Sequence, residues 1–265
     1  MINFQKQVQL VQLQTDSAFV QPESACKKML RSVKGIIFDF DGTLFDNALI
    51  AFRLIKAYPL DWRRIWKERL IRKRFSGCDY SSPEEYYNAF FSELGKACFR
   101  SPKRMRDWYF DHYIPRMISV LRKYYEARPG AAEFFSRMKN NSTRIAVYSD
   151  YPLLKERMAT LGLYTSDNIL LYGPESFGAQ KPAVRPLLKI AEDIGIPPEE
   201  ILVIGDREET DGLGAFNAGM RFFCLETGRK RNFRLDPYRR REKEEPHGPT
   251  LLMYAGRWEA LIKLL

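Results

Sequence analysis

Histidine is nearly absent from this chain, and cysteine is scarce. The 265 residues include two histidines, His112 and His247, neither of which stands in a recognisable catalytic or metal-binding pattern. No two of the four cysteines have the spacing of metal ligands; they are Cys26, Cys78, Cys98 and Cys224. A histidine nucleophile, a Ser-His-Asp triad and a zinc site are therefore disfavoured. Scattered cysteines are typical of reduced thiols in a cytoplasm.

Long apolar runs are also missing. No stretch approaches the roughly eighteen apolar residues of a membrane span. The first thirty residues lack an apolar core followed by a small-residue cleavage site. We therefore expect a cytoplasmic protein that is not exported and has no membrane partner. Apolar residues make up 45% of the chain, which is ordinary for a packed globular protein.

Two aspartates follow the apolar run 36–38, in the sequence Asp39-Phe40-Asp41-Gly42-Thr43. The run predicts a buried strand, and Asp-Gly predicts a turn directly after it. Open α/β sheets bind their ligands at the carboxyl ends of such strands. One carboxylate there can attack or hold a metal while the other moves a proton. An acidic turn without function is the alternative interpretation.

Three later segments place further polar groups after apolar runs or in loops. Ser149-Asp150 follows the run 145–148, Lys181 precedes Pro182, and Gly205-Asp206 follows the run 201–204, with Asp211 close behind. Singly, Ser149 and Lys181 are weak candidates, because a serine after a strand often caps a helix and a loop lysine is often solvated. Together the four segments form an ordered set.

The order and spacing of these segments resemble the four signature motifs of the haloacid dehalogenase-like superfamily, over about residues 34–228. That superfamily consists mostly of magnesium-dependent phosphohydrolases that act through an aspartyl-phosphate. The resemblance implies that Asp39 is the nucleophile and Asp41 the acid and base. It also implies Mg2+ as the cofactor, held by Asp39, Asp206 and the backbone carbonyl of Asp41. Mg2+ prefers such oxygen ligands.

The remaining polar residues receive supporting roles. We expect Ser149 and Asp150 to bind the phosphoryl oxygens through the serine hydroxyl and the adjacent backbone N–H groups. Lys181 supplies a fixed positive charge to the nucleophile and the transferring phosphoryl group. Asp211 is expected to orient Asp206 or a metal-bound water, although it could instead be a charge at a helix N-terminus. Thr43 is expected to contact the metal ligands without binding the metal itself.

Three segments differ in texture. An N-terminal extension, 1–33, carries an alternating stretch at 5–14 that fits an edge strand. In the core, 34–46 and 129–265, the alternation of strands and helices predicts an α/β fold with a doubly wound parallel sheet. Residues 47–128 are predicted to be an inserted helical cap. In the core, further strands are predicted at 145–148, 169–172, 201–204 and 221–225, and helices at 131–138, 153–161, 185–194, 211–218 and 257–265, with a basic flexible loop at 229–241.

The cap is predicted to be a helical bundle. A capping box begins at Ser82, and Ser101-Pro102 opens another helix. A third predicted helix of this bundle carries Trp62, Ile65, Trp66 and Leu70. The resemblance implies that this cap closes over the active site and selects the substrate.

The cap also holds nearly all of the net positive charge. Residues 47–128 contain 18 Lys and Arg against 9 Asp and Glu, a net of +9 out of +10 for the chain. One predicted helix concentrates them: Arg63, Arg64, Lys67, Arg69, Arg72, Lys73 and Arg74. A solvated helix face, a field that steers anionic substrate, and a nucleic-acid surface are the three interpretations, and we expect no nucleic-acid partner.

Taken together, the sequence predicts a magnesium-dependent phosphomonoesterase for a small phosphorylated metabolite. A sugar phosphomutase would use the same four motifs, and a non-catalytic or nucleic-acid-end-binding protein with this fold is a further alternative. The intact cluster of Asp39, Asp41, Lys181 and Asp206 opposes a non-catalytic role, because gathering like charges is costly. A dehalogenase resembles the pattern but lacks the second acid.

Overall fold

The computed structural model describes residues 30, 32–137, 143–164, 169–226, 238–243 and 251–264. Within these residues seven strands form one sheet. In chain order the strands are β1 (Gly35–Asp39), β2 (Arg144–Tyr148), β3 (Ile169–Tyr172), β4 (Ile201–Gly205), β5 (Arg221–Leu225), β6 (Tyr238–Lys243) and β7 (Leu251–Gly256). Their order across the sheet is β3-β2-β1-β4-β5-β7-β6. The reversal of strand order between β1 and β4 creates the crevice where such sheets bind ligands.

Strand β1 lies at the centre of the sheet. It pairs in parallel with β2 and with β4, so that Asp39 lies opposite Tyr148 and Phe38 opposite Ile204. All of its residues are buried, which explains why the sequence reads as an unbroken apolar run ending in an aspartate. The carboxyl ends of β1, β2 and β4 therefore meet at one edge of the sheet.

Helices cover both faces of the sheet. Ile36 and Phe38 point into one hydrophobic cluster, and Ile37 points into the other, as alternation along a strand requires. Helices α6 (Ala131–Arg137), α7 (Leu154–Thr160) and α11 (Trp258–Leu264) contribute to the first cluster. The second face is covered by α8 (Pro174–Phe177), α9 (Val184–Ile194) and α10 (Leu213–Asn217). The predicted α/β fold with a parallel sheet is confirmed.

The segment between β1 and α6 is helical. Its helices are α1 (Ile50–Ala57), α2 (Trp62–Arg74), α3 (Pro83–Cys98), α4 (Pro102–Trp108) and α5 (Ile114–Tyr124), with a π-helical turn at Tyr109–Tyr113. The side chains of Ser82 and Ser101 accept hydrogen bonds from the first turns of α3 and α4, as their sequences predict. A third hydrophobic cluster, rich in aromatic residues, holds these helices together.

The third predicted helix of the bundle is α2, and its apolar residues do not all pack inward. Ile65 is buried, but Trp62 and Trp66 are 50% and 55% exposed, and Leu70 is 39% exposed. The inward face carries Glu68 and Arg72 instead. Apolar periodicity could not reveal this arrangement, because a buried ion pair occupies part of the inner face of the helix.

Three further predictions need correction or fall outside the described residues. The predicted loop at 229–241 is in part a strand: β6 pairs antiparallel with β7 at the edge of the sheet. The predicted helix 211–218 begins with a π-helical turn at Glu208–Gly212. The N-terminal stretch 5–14 lies outside the described residues. Of the helices described, none is both long and apolar enough to cross a bilayer.

Candidate active site

Asp39 ends the central strand and is buried. The hydroxyl of Thr43 donates to its Oδ2 at 2.9 Å. The ammonium of Lys181 donates to its Oδ1. Both carboxylate oxygens of the predicted nucleophile are therefore held by donors from different segments of the chain.

The turn after Asp41 passes tightly against Asp206. Gly42 has a φ of 104°, and a Cβ at this position would overlap the Asp206 carboxylate. Only glycine adopts this conformation without strain and leaves space for the neighbouring side chain. The Asp-Gly sequence thus permits the close approach of the first and fourth motifs.

Three carboxylates gather at the ends of β1 and β4. Asp39, Asp206 and Asp211 each offer an oxygen, and these oxygens all lie within 4.8 Å of one another. Asp211 is buried in the π-helical turn and accepts a hydrogen bond from Lys181 Nζ at 2.8 Å. Within the described residues, Oδ1 of Asp206 is buried without a hydrogen-bond partner. Hard divalent cations take such carboxylate oxygens, so the donor set fits Mg2+.

The electrostatics of this cluster favour an added positive charge. Burial raises the pKa of Asp39 to about 7, although Lys181 opposes the rise. The pKa of Asp206 also rises to about 7, first through burial and then through the charge of Asp39. Burial disfavours the charge of Lys181, but Asp211 and Asp39 outweigh it and raise its pKa well above the usual value. One lysine thus faces a surplus of carboxylates.

Asp41 lies in a separate network. The hydroxyl of Ser149 donates to its Oδ2 at 2.8 Å, and Arg157 forms an ion pair with its Oδ1. Arg157 also donates to the Ser149 hydroxyl at 2.9 Å. Arg157 is not among the residues that the sequence predicts for the site. The available signal was its position in the buried stripe of α7, beside Leu154 and Met158, where an apolar residue is expected.

Asp150 holds the loop 178–182, which carries Lys181 and is called the lysine loop below. Its Oδ1 accepts the backbone N–H of Lys181 at 3.0 Å, while its carbonyl accepts from Arg72 Nη1 at 2.6 Å. Arg72 therefore reaches the core from the cap, and it is 8% exposed. The prediction that Arg72 belongs to an open basic face is wrong, because Glu68 neutralises it inside the cap.

The cap is joined to the lysine loop through backbone hydrogen bonds. Gly77 donates to the carbonyl of Lys181 at 3.0 Å, Gln180 donates to Cys78 at 3.0 Å, and Tyr80 donates to Gly178 at 3.1 Å. The side chain of Arg185 adds contacts to Asp79 and to the Tyr80 carbonyl. This short ladder fixes the position of Lys181 relative to the cap.

The structure brings every predicted site residue to one edge of the sheet, in two adjoining networks. The first contains Asp39, Thr43, Lys181, Asp206 and Asp211, with Asp150 supporting the lysine loop. The second joins Asp41 to Ser149 and Arg157. Asp211 was expected to orient Asp206 or a metal-bound water. In the structure its carboxylate accepts a hydrogen bond from Lys181. The roles assigned to these residues remain predictions.

The fold and the site together define a doubly wound α/β protein with an acidic centre at its switch point. The family model for haloacid dehalogenase-like hydrolases matches residues 33–219, and the chain belongs to that family.

Two curated relatives and one solved structure illustrate the similarity. Phosphoglycolate phosphatase of Aquifex aeolicus is 27% identical over 65% of this chain and 76% of its own. Glyceraldehyde 3-phosphate phosphatase of Pyrococcus furiosus is 23% identical over 76% of this chain and 83% of its own. The structure of L-2-haloacid dehalogenase from Xanthobacter autotrophicus has a TM-score of 0.50 at 21% identity, covering 73% and 77% of the two chains. That likeness concerns the fold alone.

Proposed function

We propose that this protein is a magnesium-dependent phosphomonoesterase for a small phosphorylated metabolite, acting through an aspartyl-phosphate on Asp39. The observation that carries the proposal is the pairing of a buried carboxylate cluster around Asp39 with a second acid, Asp41, held in its own network. The named activities of the relatives, which are phosphatases of phosphoglycolate and glyceraldehyde 3-phosphate, support a small substrate.

The second acid separates this proposal from dehalogenation. A carboxylate nucleophile alone suffices to displace a halide, because halide leaves without a proton. An alkoxide leaving from phosphorus needs a proton donor. Asp41 supplies that donor, so its presence favours phosphate-ester hydrolysis over the dehalogenase activity named for one protein of similar fold.

The residues divide the reaction between them. Asp39 attacks phosphorus while Asp41 protonates the leaving oxygen, and Asp41 then takes a proton from the water that hydrolyses the acyl-phosphate. Lys181 keeps Asp39 in place and offsets its charge. Mg2+, held by Asp39, Asp206 and the Asp41 carbonyl, would offset the repulsion between the anionic ester and the carboxylate. Asp211 lies close enough to add a third carboxylate.

A panel of phosphate esters tests the proposal. Purified protein is assayed with Mg2+ on phosphoglycolate, glyceraldehyde 3-phosphate, sugar phosphates and p-nitrophenyl phosphate, with release of inorganic phosphate as the readout. We expect hydrolysis of at least one small alkyl phosphate and its loss in EDTA.

The matched variant is Asp39→Asn, since an amide of nearly the same shape is a poor nucleophile. We expect turnover to fall by about a thousandfold or more while the thermal transition persists. Absence of hydrolysis across the panel, or an Asp39→Asn variant within tenfold of the wild type, would contradict the proposed function.

A further inference from the structure

A buried guanidinium lies beside the proposed acid and has no part in the mechanism above. Arg157 is 1% exposed, although it belongs to a short helix whose other inward residues are apolar. Burying an arginine is costly unless its charge and its N–H groups are satisfied. Its contacts therefore indicate what it does.

Those contacts converge on Asp41 and on the serine beside it. The Nη2 group pairs with Asp41 Oδ1, and the Nη1 group donates to Ser149 Oγ at 2.9 Å and to the Tyr151 carbonyl at 3.3 Å. The guanidinium carbon lies 4.6 Å from the centre of the Phe40 ring, so the arginine also packs against the residue between the two aspartates.

Asp41 is consequently held at both oxygens. Arg157 binds Oδ1 while the Ser149 hydroxyl donates to Oδ2 at 2.8 Å, and Arg157 in turn binds that hydroxyl. Two donors on two oxygens fix both the rotamer and the plane of a carboxyl group. A side chain on a turn after a strand would otherwise have several rotamers available.

We propose that Arg157 is a positioning residue that directs the carboxyl group of Asp41 toward the leaving-group oxygen. The inference rests on the proposed phosphomonoesterase function. In the first step the bond from Asp39 to phosphorus forms, the bond from phosphorus to the leaving oxygen breaks, and the Asp41 proton passes to that oxygen. In the second step water attacks phosphorus, its proton passes to Asp41, and Asp39 is released with inorganic phosphate.

Leaving-group dependence distinguishes this role from a structural one. p-Nitrophenolate leaves readily without a proton, whereas an alkoxide depends on the acid, so only alkyl esters should respond to a misplaced Asp41. The quantity to compare is kcat/KM, because it covers the steps up to the first loss of the leaving group and excludes hydrolysis of the acyl-phosphate.

The test measures kcat/KM of wild type and Arg157→Lys on p-nitrophenyl phosphate and on the best alkyl phosphate of the panel. Lysine keeps the positive charge but cannot bind Asp41 and Ser149 together as a planar fork. We expect a loss of about 10- to 100-fold on the alkyl ester and of less than about threefold on p-nitrophenyl phosphate. Asp41→Asn should show the same selectivity with a larger loss.

Two further variants guard against misfolding. Arg157→Gln repeats the test with a neutral hydrogen-bonding side chain. Met158→Ala, at the next position of the same helix and fully buried, should lower the melting temperature without separating the two esters. An equal loss on both esters, or no loss on either, would overturn the inference while leaving the phosphatase proposal intact. A wild type that hydrolyses neither ester would contradict the proposed function and the inference with it.

Discussion

Two buried charge clusters, one in the cap and one at the sheet edge, differ in how their charges balance. In the cap, Glu68 is fully buried and accepts from Arg72 Nε at 2.7 Å and from the Tyr113 hydroxyl at 2.8 Å. Arg72 also donates to the Tyr109 hydroxyl at 2.7 Å. One acid thus meets one base, and both carboxylate oxygens of Glu68 accept a hydrogen bond.

The cluster at the sheet edge is not balanced. Lys181 contacts Asp39 and Asp211, while Asp206 approaches the same point and one of its oxygens lacks a hydrogen bond within the described residues. A balanced cluster is complete by itself and serves the structure, since every buried charge has its counter-charge. A cluster with surplus charge of one sign is prepared for a ligand of the other sign. The surplus charge therefore supports the proposed metal-binding role of the sheet edge, whereas the balanced pair of Glu68 and Arg72 is expected to serve the structure.

The largest expected effect concerns the surplus carboxylates. Asp206→Asn should lower kcat/KM by about 100-fold or more at millimolar Mg2+ and should weaken Mg2+ binding in a calorimetric titration, because the ion loses a charged ligand. Glu209→Gln is the matched control, since Glu209 is an exposed neighbour paired with Arg207. An unchanged Mg2+ titration for Asp206→Asn would place the metal ligands elsewhere.

Changes to the balanced pair of Glu68 and Arg72 should affect the stability of the fold. Glu68→Gln leaves the buried Arg72 charge without its counter-charge and should lower the free energy of unfolding by about 3–5 kcal/mol. The double variant Glu68→Leu with Arg72→Met should cost less than the sum of the two single changes. Chemical denaturation measures both. Glu93→Gln, in an exposed pair with Lys96, should change little, and a similarly small effect at Glu68 would remove the distinction between the clusters.

A smaller effect is expected from pH in metal-free protein. The pKa values of Asp39 and Asp206 are about 7 in the folded state against an ordinary 3.8. The folded protein therefore retains protons that the unfolded chain releases, so the free energy of unfolding falls as pH rises from about 4 to about 7. In EDTA the melting temperature at pH 7.5 should lie several degrees, roughly 5 °C, below that at pH 5.5.

Two comparisons check the origin of that slope. Mg2+ should raise the melting temperature more at pH 7.5 than at pH 5.5, because it binds the ionised carboxylates. Asp39→Asn should flatten the dependence in EDTA. A melting temperature in EDTA that rises over this range, or a slope that Asp39→Asn leaves unchanged, would show that these carboxylates do not carry the surplus charge.

The smallest expected effect concerns the exposed basic residues of α2. Replacing Arg63, Lys67, Lys73 and Arg74 together by Gln should lower kcat/KM by less than about threefold, and the difference should vanish at high salt, since steering by exposed charge is screened. Arg72 is left unchanged because it is buried. Identical kinetics at every salt concentration would assign these residues to a solvated surface, and a fall in kcat would place one of them in the closed site.

Much of the site could be predicted because its residues follow strands directly. Asp39 and Asp206 occupy the ends of apolar runs, and parallel strands bring such ends to one edge whatever the details of packing. The βα alternation fixed the fold class for the same local reason. Gly42 could be interpreted as a turn from the chain alone, but its close approach to Asp206 could not.

The partners of the buried charges could not be predicted. Arg157 contacts Asp41 across 116 positions of the sequence, and Arg72 contacts the Asp150 carbonyl across 78. Hydrophobic periodicity predicts that apolar residues face inward and charged residues face solvent. On that criterion Arg72 was assigned to an exposed face and Arg157 was overlooked, although both are buried.

The sequence by itself determined the fold class and the acidic motifs, because strand periodicity, turn-forming Asp-Gly and residue order act over a few neighbours. Only the tertiary structure decided which charges neutralise one another. A buried charge is tolerated where a distant segment supplies its partner. The sequence shows the charged residue but not which distant residue pairs with it.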